Sequence, residues 1–311
     1  MVIRGDRIGQ LVSGRYQLQA LLGRGAMAEV YRADDHRTGR AVALKILRQS
    51  VVRDTEAVER FKREADVQTR VCHRNVAQVY GRGITAAAEP YLVFELLRGR
   101  SLRTVLRREG RIAAARAADY CAQALLGLSA VHTLGIHHRD LKPANLMLEP
   151  GDCAADPDDD ALPAPGRGTD GRSTEGDRVV LIDFGFAAFA GARKLTRQGF
   201  VVGSLSYMAP ERLRGEPCDE RAELYSMAVI FYELMVGRPP FGGEDDQALI
   251  RAHLEGVPPR PSTTVADCAL TPAAEDLLLR CLAKEPDHRP RSAHAMAAEL
   301  IEAMATGDRP D

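Results

Sequence analysis

The segment His138–Asn145 (HRDLKPAN) concentrates polar side chains between a predicted helix and a short apolar strand. It contains Asp140, Lys142 and Asn145, and a further carboxylate, Asp183, directly follows the next apolar strand. Carboxylate and amide oxygens are ligands that Mg²⁺ prefers. A second carboxylate can orient an acceptor hydroxyl, and a cation can neutralise the charge of a transferred phosphoryl group. These residue types therefore indicate phosphoryl transfer from a nucleotide.

A glycine-containing segment, Leu22–Val30 (LGRGAMAEV), lies between two predicted strands. Glycines lack Cβ, so the strand turn can lie close over phosphates and offer backbone N–H groups to them. A strand follows rather than a helix, and no Gly-Lys-Ser/Thr is present, which excludes a Rossmann fingerprint and a Walker A loop. A plain glycine hairpin of a β-protein has the same pattern, so the segment alone leaves both interpretations open.

Lys45 lies at the end of Val42-Ala43-Leu44-Lys45, inside an apolar strand. An unpaired ammonium would be costly there, so an anionic partner is expected. Glu64 on the following helix is one candidate and a nucleotide phosphate is a second, whereas an edge-strand lysine facing solvent is the alternative. Only five lysines occur among the 42 basic residues, so the position of each is informative.

Two neighbouring histidines, His137 and His138, are a weak indication of a metal site. No third ligand is spaced near them in the sequence, which favours structural histidines. The six cysteines are scattered without a C-x-x-C pair. They predict reduced thiols in a cytoplasmic protein and give no support to a zinc site.

The elements that position these residues divide the chain into a strand-rich first part and a helix-rich second part, which predicts an α+β protein of two lobes. Strands are predicted over Tyr16–Leu22, Ala28–Asp34, Val42–Leu47, Ala77–Gly83, Tyr91–Glu95, Leu146–Leu148 and Val179–Ile182. Helices are predicted over Glu56–Val71, Ala113–Leu134, Glu223–Val236, Leu270–Leu282 and Ala293–Ala305.

The composition is that of an ordinary globular chain: 311 residues, 45% hydrophobic, 27% charged and a net charge of -1. Because acidic and basic residues are nearly equal in number, the chain has no overall positive potential, and no nucleic-acid partner is expected. The first ten residues lack the apolar core of a secretory signal. The longest apolar stretch, residues 224–236, is too short to span a bilayer, so we expect a soluble, cytoplasmic protein.

One segment, Glu149 to Arg178, departs from the rest in composition. Its 30 residues hold nine acids and three arginines, a local net charge of -6. Low hydrophobicity with high net charge predicts disorder. It is expected to be an expanded hairpin loop, either a tolerated insertion or a docking or regulatory loop.

Together these segments resemble the protein kinase family, in particular the eukaryotic-type bacterial Ser/Thr kinases. The family motifs occur in order: the glycine-rich loop, VALK, HRDLKPAN, the DFG of residues 183–185, the MAPE of residues 208–211, and Arg289. The resemblance covers Tyr16 to Leu300. It implies a bilobal fold with an antiparallel β N-lobe carrying one main helix and a mostly helical C-lobe. We expect an N-terminal extension (1–15), a kinase domain (16–305, with lobes 16–97 and 98–305) and a tail (306–311).

The resemblance also implies roles for the matching residues. Asp140 is expected to orient the substrate hydroxyl and accept its proton, and Lys142 to contact the γ-phosphate. Lys45 is expected to hold the α- and β-phosphates while paired to Glu64. The expected Mg²⁺ ligands are Asn145 and Asp183.

The expected ATP cleft combines apolar walls with the glycine-rich loop. The walls that sandwich adenine are Leu22, Val30, Ala43 and Met147. The backbone of Glu95 and Leu97 bonds its edge, and Phe94 is the gatekeeper. The residues assigned to ATP binding are Leu22, Gly23, Arg24, Gly25, Ala26, Met27, Ala28, Glu29, Val30, Ala43, Lys45, Glu95, Leu97 and Met147.

Regulation is expected through Arg139, which precedes Asp140 and in the family is held by a phosphorylated activation loop. Thr196 is the hydroxyl side chain between Gly185 and Gly203, and it has basic neighbours. A phosphate there would add close to two negative charges and charge-assisted bonds to Arg139. Thr196 is therefore a predicted activating autophosphorylation site, with an unmodified loop threonine as the alternative.

Three positions depart from the family pattern, and one of them is Ala228, which replaces a common Gly on the predicted helix Glu223–Val236. Ala28 stands in place of the third glycine of the loop, and Glu223 in place of the usual Asp that bonds the backbone of the HRD turn. The extra methylene of Glu223 predicts altered positioning rather than loss of chemistry. Glu211 and Arg289 are expected to form a buried structural ion pair.

The resemblance implies an Mg²⁺–ATP-dependent kinase acting on Ser/Thr hydroxyls of proteins. Lys142 and Ser204 both match the Ser/Thr pattern. A pseudokinase scaffold is the alternative, although Lys45, Asp140 and Asp183 are all present. A small-molecule kinase is disfavoured by the Ala209-Pro210-Glu211 end of the activation segment. Pairing of two chains through their N-lobes is a family feature that no residue here decides.

Overall fold

The computed structural model describes residues 7–150, 176–183 and 205–306 of the chain. Most of the acidic insertion, Thr196, Ser204 and the residues 184–185 of the DFG motif lie outside the described residues. So do six side chains of the helix over residues 55–68: Glu56, Arg60, Arg63, Glu64, Asp66 and Val67.

A six-stranded antiparallel sheet forms the N-lobe, with strand order β1-β2-β3-β4-β6-β5. Its strands are β1 (Leu11–Val12), β2 (Tyr16–Arg24), β3 (Ala28–Asp35), β4 (Arg40–Leu47), β5 (Val79–Ile84) and β6 (Pro90–Glu95). Strand β1 is thus part of this sheet, although the sequence places its residues in an N-terminal extension.

Side-chain alternation along β4 separates the two faces of this sheet. Val42, Leu44 and Ile46 are buried in one apolar cluster with residues of the neighbouring strands. The intervening Ala43 and Lys45 project from the opposite face. Because side chains alternate along the strand, Lys45 lies on the side of the sheet that carries the main N-lobe helix.

The N-lobe helices are α1 (Gln49–Val52) and α2 (Thr55–Gln68). The C-lobe is mostly helical, with α3 (Leu102–Glu109), α4 (Ala114–His132), α5 (Pro210–Arg214), α6 (Arg221–Val236), α7 (Asp246–Glu255), α8 (Pro261–Thr264), α9 (Pro272–Cys281) and α10 (Ala293–Ala305). A three-stranded sheet of β7 (Arg100–Ser101), β8 (Leu146–Glu149) and β9 (Arg178–Leu181) lies in the order β7-β8-β9. None of the helices within the described parts of the chain is long and apolar enough to cross a membrane.

Helix α6 is the centre of the C-lobe. It is buried continuously from Ala222 to Met235. A helix that is apolar on all sides is typical of the interior of a large core. The surrounding helices pack on it, so its first turn, which contains Glu223, is held inside the lobe.

Helix α4 packs closely against the loop that precedes β5, and one glycine makes this possible. A Cβ added to Gly127 would lie 2.7 Å from the backbone oxygen of Asn75. Asn75 in turn donates from Nδ2 to the backbone oxygen of Val179, at 2.7 Å. This close approach fixes β9, and with it the position of Asp183, against α4.

The predicted elements exist, with differences at their ends. The helix predicted to reach Val71 ends at Gln68, because the backbone turns at residues 69–70. Helices α1, α3, α5, α7 and α8 were not predicted, because each has ten residues or fewer, and neither were the two-residue strands β1 and β7. Glu149 and Arg178, which the sequence places in the insertion, are the paired last and first residues of β8 and β9.

The expected pair between Glu211 and Arg289 is confirmed. The two guanidinium nitrogens Nη1 and Nη2 donate to Oε1 and Oε2 of the carboxylate at 2.7 and 2.9 Å. The side chains are 4% and 0% exposed. This bidentate pair fixes the start of α5 against the segment before α10.

Replacing Glu211 with Ala is expected to lower the free energy of unfolding by about 3–5 kcal/mol, because it leaves a buried guanidinium without its counter-ion. Urea unfolding measures the change. The control is Glu302→Ala, which removes an exposed glutamate of α10 and should stay within about 0.5 kcal/mol of the native chain. Equal stability of the two variants would contradict the structural role of the pair.

Candidate active site

The loop between α4 and β8 holds the carboxylate of Asp140 between two nitrogen donors. Lys142 donates from Nζ to Asp140 Oδ2 at 2.7 Å. Asn145 donates from Nδ2 to the backbone oxygen of Asp140 at 2.7 Å and to its Oδ2 at 3.1 Å. A 3-10 turn over Pro143–Asn145 folds the loop back so that these contacts form. The structure therefore brings together the three polar residues that the sequence singles out in this loop.

The side chain of His138 contacts the same loop from the protein interior. Its side chain is fully buried, and burial lowers the pKa of the imidazole, so the ring is neutral. Nε2 lies 2.9 Å from the backbone oxygen of Ile182, and Nδ1 lies 3.4 Å from the backbone nitrogen of Asp140. A ring that accepts at Nδ1 carries its proton on Nε2 and donates it to Ile182. His138 is therefore a structural histidine, as the sequence predicts.

Asn145 and Asp183 meet across the ends of β8 and β9. The backbone N–H of Ile182 donates to the oxygen of Asn145 at 3.0 Å. The next residue, Asp183, has its carboxylate 44% exposed. Asn145 and Asp183 thus lie at the same end of the two paired strands, and both are residue types whose side-chain oxygens bind Mg²⁺.

Lys45 reaches from the N-lobe sheet to this point. Its Nζ donates to Asp183 Oδ1 at 2.6 Å. The charge of Lys45 is the main cause that lowers the pKa of the Asp183 carboxyl, and the hydrogen bond between them adds to it. The sequence offered Glu64 or a phosphate as the partner, and the structure adds Asp183. The expected contact with Glu64 falls on a side chain outside those described.

The backbone around the site is held in an unusual conformation. Arg139 and Asp183 have φ angles of 66° and 55°, in the left-handed region that residues other than glycine rarely occupy. Such conformations persist only where surrounding contacts enforce them. For Arg139 these contacts are present, since its N–H donates to Glu223 Oε1 at 2.6 Å and its carbonyl accepts from Arg212 Nη1 at 2.7 Å.

Glu223 accepts a hydrogen bond from the backbone of the HRD turn, as the shorter Asp of the family is expected to do. It also contacts a histidine. Its Oε2 lies 2.7 Å from His132 Nε2. Burial alone would raise the pKa of the Glu223 carboxyl, but the hydrogen bond and charge of His132 and the Arg139 N–H outweigh it and lower the pKa. The longer side chain is therefore accommodated as an anion with both oxygens engaged.

A cleft opens between the N-lobe sheet and β8–β9, above Lys45 and Asp183. Its lining residues are Leu22, Gly23, Val30, Ala43, Lys45, Ala77, Phe94, Glu95, Leu96, Leu97, Met147, Ile182 and Asp183. The four residues predicted to sandwich adenine are among them, together with the predicted gatekeeper and the segment 95–97 that joins the lobes. Sequence reasoning missed Ala77, Leu96 and Ile182, since an apolar lining residue cannot be told from core by its type.

Six predicted members of the nucleotide set lie in the hairpin turn rather than in this lining: Arg24, Gly25, Ala26, Met27, Ala28 and Glu29. The turn closes where the N–H of Gly25 donates to the oxygen of Ala28 at 2.9 Å. Ala28 is buried and pairs with Leu47, and Met27 packs on the cluster beside α2. The methyl group of Ala28 thus occupies apolar space.

Arg178 is a further residue that the sequence did not single out. Its Nη2 lies 3.0 Å from Glu95 Oε2 and 2.7 Å from Glu149 Oε2. Glu149 also accepts the N–H of Arg98 at 2.8 Å. The two end residues of the acidic insertion therefore contact residues 95–98, in the segment that joins the two lobes beside the cleft.

The antiparallel N-lobe, the helical C-lobe and the polar cleft between them define a protein kinase. The protein kinase domain family model matches residues 16–301, and the chain belongs to this family. The family generally uses ATP and Mg²⁺. Among solved structures, the kinase domain of Mycobacterium tuberculosis PknI has a TM-score of 0.68 and 25% identity, over 95% of this chain and 98% of that one.

Bacterial serine/threonine-protein kinases are similar in sequence over most of the chain. The serine/threonine-protein kinase pkn3 of Myxococcus xanthus is 36% identical over 299 residues, 95% of this chain and 51% of the relative. The serine/threonine-protein kinase PknB of Mycolicibacterium smegmatis is 35% identical over 97% of this chain and 45% of the relative. The chain thus spans about half the length of these relatives.

The variant Glu223→Ala is expected to lose about 1–3 kcal/mol of unfolding free energy, because the N–H of Arg139 and the imidazole of His132 both lose a buried partner. Amide hydrogen exchange at Arg139 should become faster in the native state. Glu223→Gln keeps an amide oxygen for the Arg139 N–H and serves as the matched control. If Ala and Gln at this position exchange Arg139 equally fast, the carboxylate does not hold that backbone group.

Proposed function

We propose that the chain is an active Mg²⁺–ATP-dependent kinase that transfers the γ-phosphate to Ser or Thr hydroxyls of proteins. The observation that carries this proposal is the proximity of two ion pairs near one end of the cleft, where the charge of Lys142 also acts on Asp183. Lys45 with Asp183 comes from the N-lobe side, and Lys142 with Asp140 comes from the C-lobe side. Both cations and both carboxylates required for phosphoryl transfer are thus present together.

Asp140 is the proposed group that orients the acceptor hydroxyl and takes its proton. Its carboxylate is held by Lys142 and Asn145 and is 27% exposed, so a hydroxyl can approach it. Lys142 is proposed to neutralise charge on the transferred phosphoryl group. Its ammonium is a compact cation with three donors, so it can hold Asp140 and a phosphate oxygen at once.

The residues at the end of the cleft fit the metal and nucleotide that the family uses. Nδ2 of Asn145 is engaged by Asp140, which leaves its amide oxygen as the remaining acceptor, and Asp183 has a second carboxylate oxygen beside the one bonded to Lys45. These oxygens are the proposed Mg²⁺ ligands. Bound Mg²⁺–ATP supplies the transferable phosphoryl group and offsets its charge. Lys45 is proposed to hold the α- and β-phosphates, with Glu64 as its further partner.

The apolar walls of the cleft suit a purine. Leu22 and Val30 come from the N-lobe hairpin, Ala43 from β4 and Met147 from β8, so the walls belong to both lobes. Adenine is proposed to lie between them, with its edge at the backbone of Glu95 and Leu97. The hairpin turn of residues 24–29 is proposed to cover the phosphates. The proposed kinase domain is 16–305, with protein substrates as partners and a cytoplasmic location.

The test of this function is transfer of label from γ-labelled ATP to a generic Ser/Thr-containing protein. The variant Asp140→Asn should lower kcat by about 100-fold or more, because a positioned proton acceptor contributes at least that much. Nucleotide binding should be retained, since Asp140 does not line the cleft. Asp246→Asn, an exposed aspartate of α7, should behave like the native chain. Native protein that binds ATP without transferring label would be a pseudokinase scaffold instead.

Autophosphorylation of Thr196 is proposed to raise activity through Arg139. The sequence supports this, because Thr196 is flanked by Arg193, Lys194 and Arg197 and lies in the activation segment. Thr196→Ala should lower kcat/KM about tenfold, the equivalent of one charge-assisted hydrogen bond. Phosphopeptide mapping should find the phosphate in the native chain and not in Asp140→Asn. Unchanged kcat/KM in Thr196→Ala would remove the regulatory role.

A further inference from the structure

Two histidines and a glutamate converge next to the catalytic loop, outside the cleft. His132 is the last residue of α4, His137 precedes the HRD motif, and Glu223 lies in the first turn of α6. One ligand atom from each lies within 4.8 Å of the others. The two imidazole rings are 5.5 Å apart between centroids. Sequence spacing does not reveal this group, because Glu223 is far along the chain from both histidines.

One imidazole nitrogen of this group has no hydrogen bond. Within the described parts of the chain, His137 Nδ1 is buried and has no hydrogen-bond partner, whereas His132 Nδ1 lies 3.1 Å from Glu220 Oε2. The side chains of His132 and Glu223 are each 4% exposed. Buried nitrogens without partners are uncommon in native structures, and each one calls for a specific explanation, such as an ion.

We propose that this cluster is a binding site for a divalent transition metal of the zinc class. The ligands are His132 Nε2, His137 Nδ1 and Glu223 Oε2. Two imidazoles and one carboxylate are a common protein ligand set for Zn²⁺, with the fourth position left to water. Mg²⁺ is not expected to compete, because it prefers oxygen ligands in an octahedral arrangement.

Metal binding requires the proton between His132 and Glu223 to leave Nε2. The other ring nitrogen of His132, Nδ1, can carry a proton, since it lies 3.1 Å from Glu220 Oε2. With a metal on Nε2, the Nδ1–H of His132 faces this carboxylate. A ligating histidine that donates its other N–H to a carboxylate is the usual outer arrangement of zinc sites.

The proposed site is directly connected to the catalytic loop. Glu223 Oε1 holds the N–H of Arg139, next to Asp140. A metal on Glu223 Oε2 would join α4, the HRD turn and α6 through a single carboxylate. Because the site forms only in the folded chain, metal binding should stabilise the fold.

The experiment is a calorimetric Zn²⁺ titration of the untagged full chain, with accessible cysteines alkylated and millimolar Mg²⁺ present to occupy oxygen sites. The native chain should bind one Zn²⁺, and its melting temperature should rise. His137→Leu removes one ligand and should weaken the affinity about tenfold or more, with no rise in melting temperature. His294→Gln, which removes an exposed histidine of α10, should match the native chain.

Two outcomes would overturn the site. One is equal Zn²⁺ affinity in the native and His137→Leu chains, and the other is no stoichiometric binding at all. Equal melting temperatures of these chains without metal establish that the variant is folded. The visible spectrum of the native chain with Co²⁺ is a test that needs no variant. A four-coordinate site should give intense absorption bands. The weak bands of the hydrated ion would refute the proposed site. Neither measurement depends on kinase activity.

Discussion

The carboxylate of Glu223 is buried in the C-lobe core, and the geometry of the catalytic loop depends on it. An isolated buried charge would be very unfavourable, so the anion is stable only because both oxygens are engaged. One accepts the N–H of Arg139 and the other contacts His132. Arg139 is thereby held at a φ of 66°, directly before Asp140 in the loop. The side chain that the sequence marks as a departure thus makes the contacts that position the catalytic loop.

From this carboxylate a continuous series of contacts leads to the N-lobe. His138 connects the loop to the carbonyl of Ile182, and the following residue, Asp183, is paired with Lys45 on β4. The proposed metal ligand and the proposed phosphate-binding cation are therefore positioned by the same backbone. Two lobes with separate apolar cores meet through polar contacts at the cleft, where a charged substrate would bind.

A second connection between the lobes passes through Arg178. It contacts Glu95, which lines the cleft, and Glu149, which ends the preceding strand. The acidic insertion begins and ends at these paired strand ends, so a long polar segment can be inserted without disturbing Asn145 or Asp183. This explains in physical terms why the insertion is compatible with an intact site.

The sequence by itself determined the element types, the order of the motifs and most of the cleft residues. It could do so because apolar periodicity and short-range residue types are local properties. Only the tertiary structure decided which distant residues meet: Lys45 with Asp183, Arg178 with Glu95, and His132 and His137 with Glu223. Spacing did not reveal the histidine cluster, because its third member comes from another helix. Contacts between distant segments depend on how helices and sheets pack in the core, and no local pattern in the chain records that.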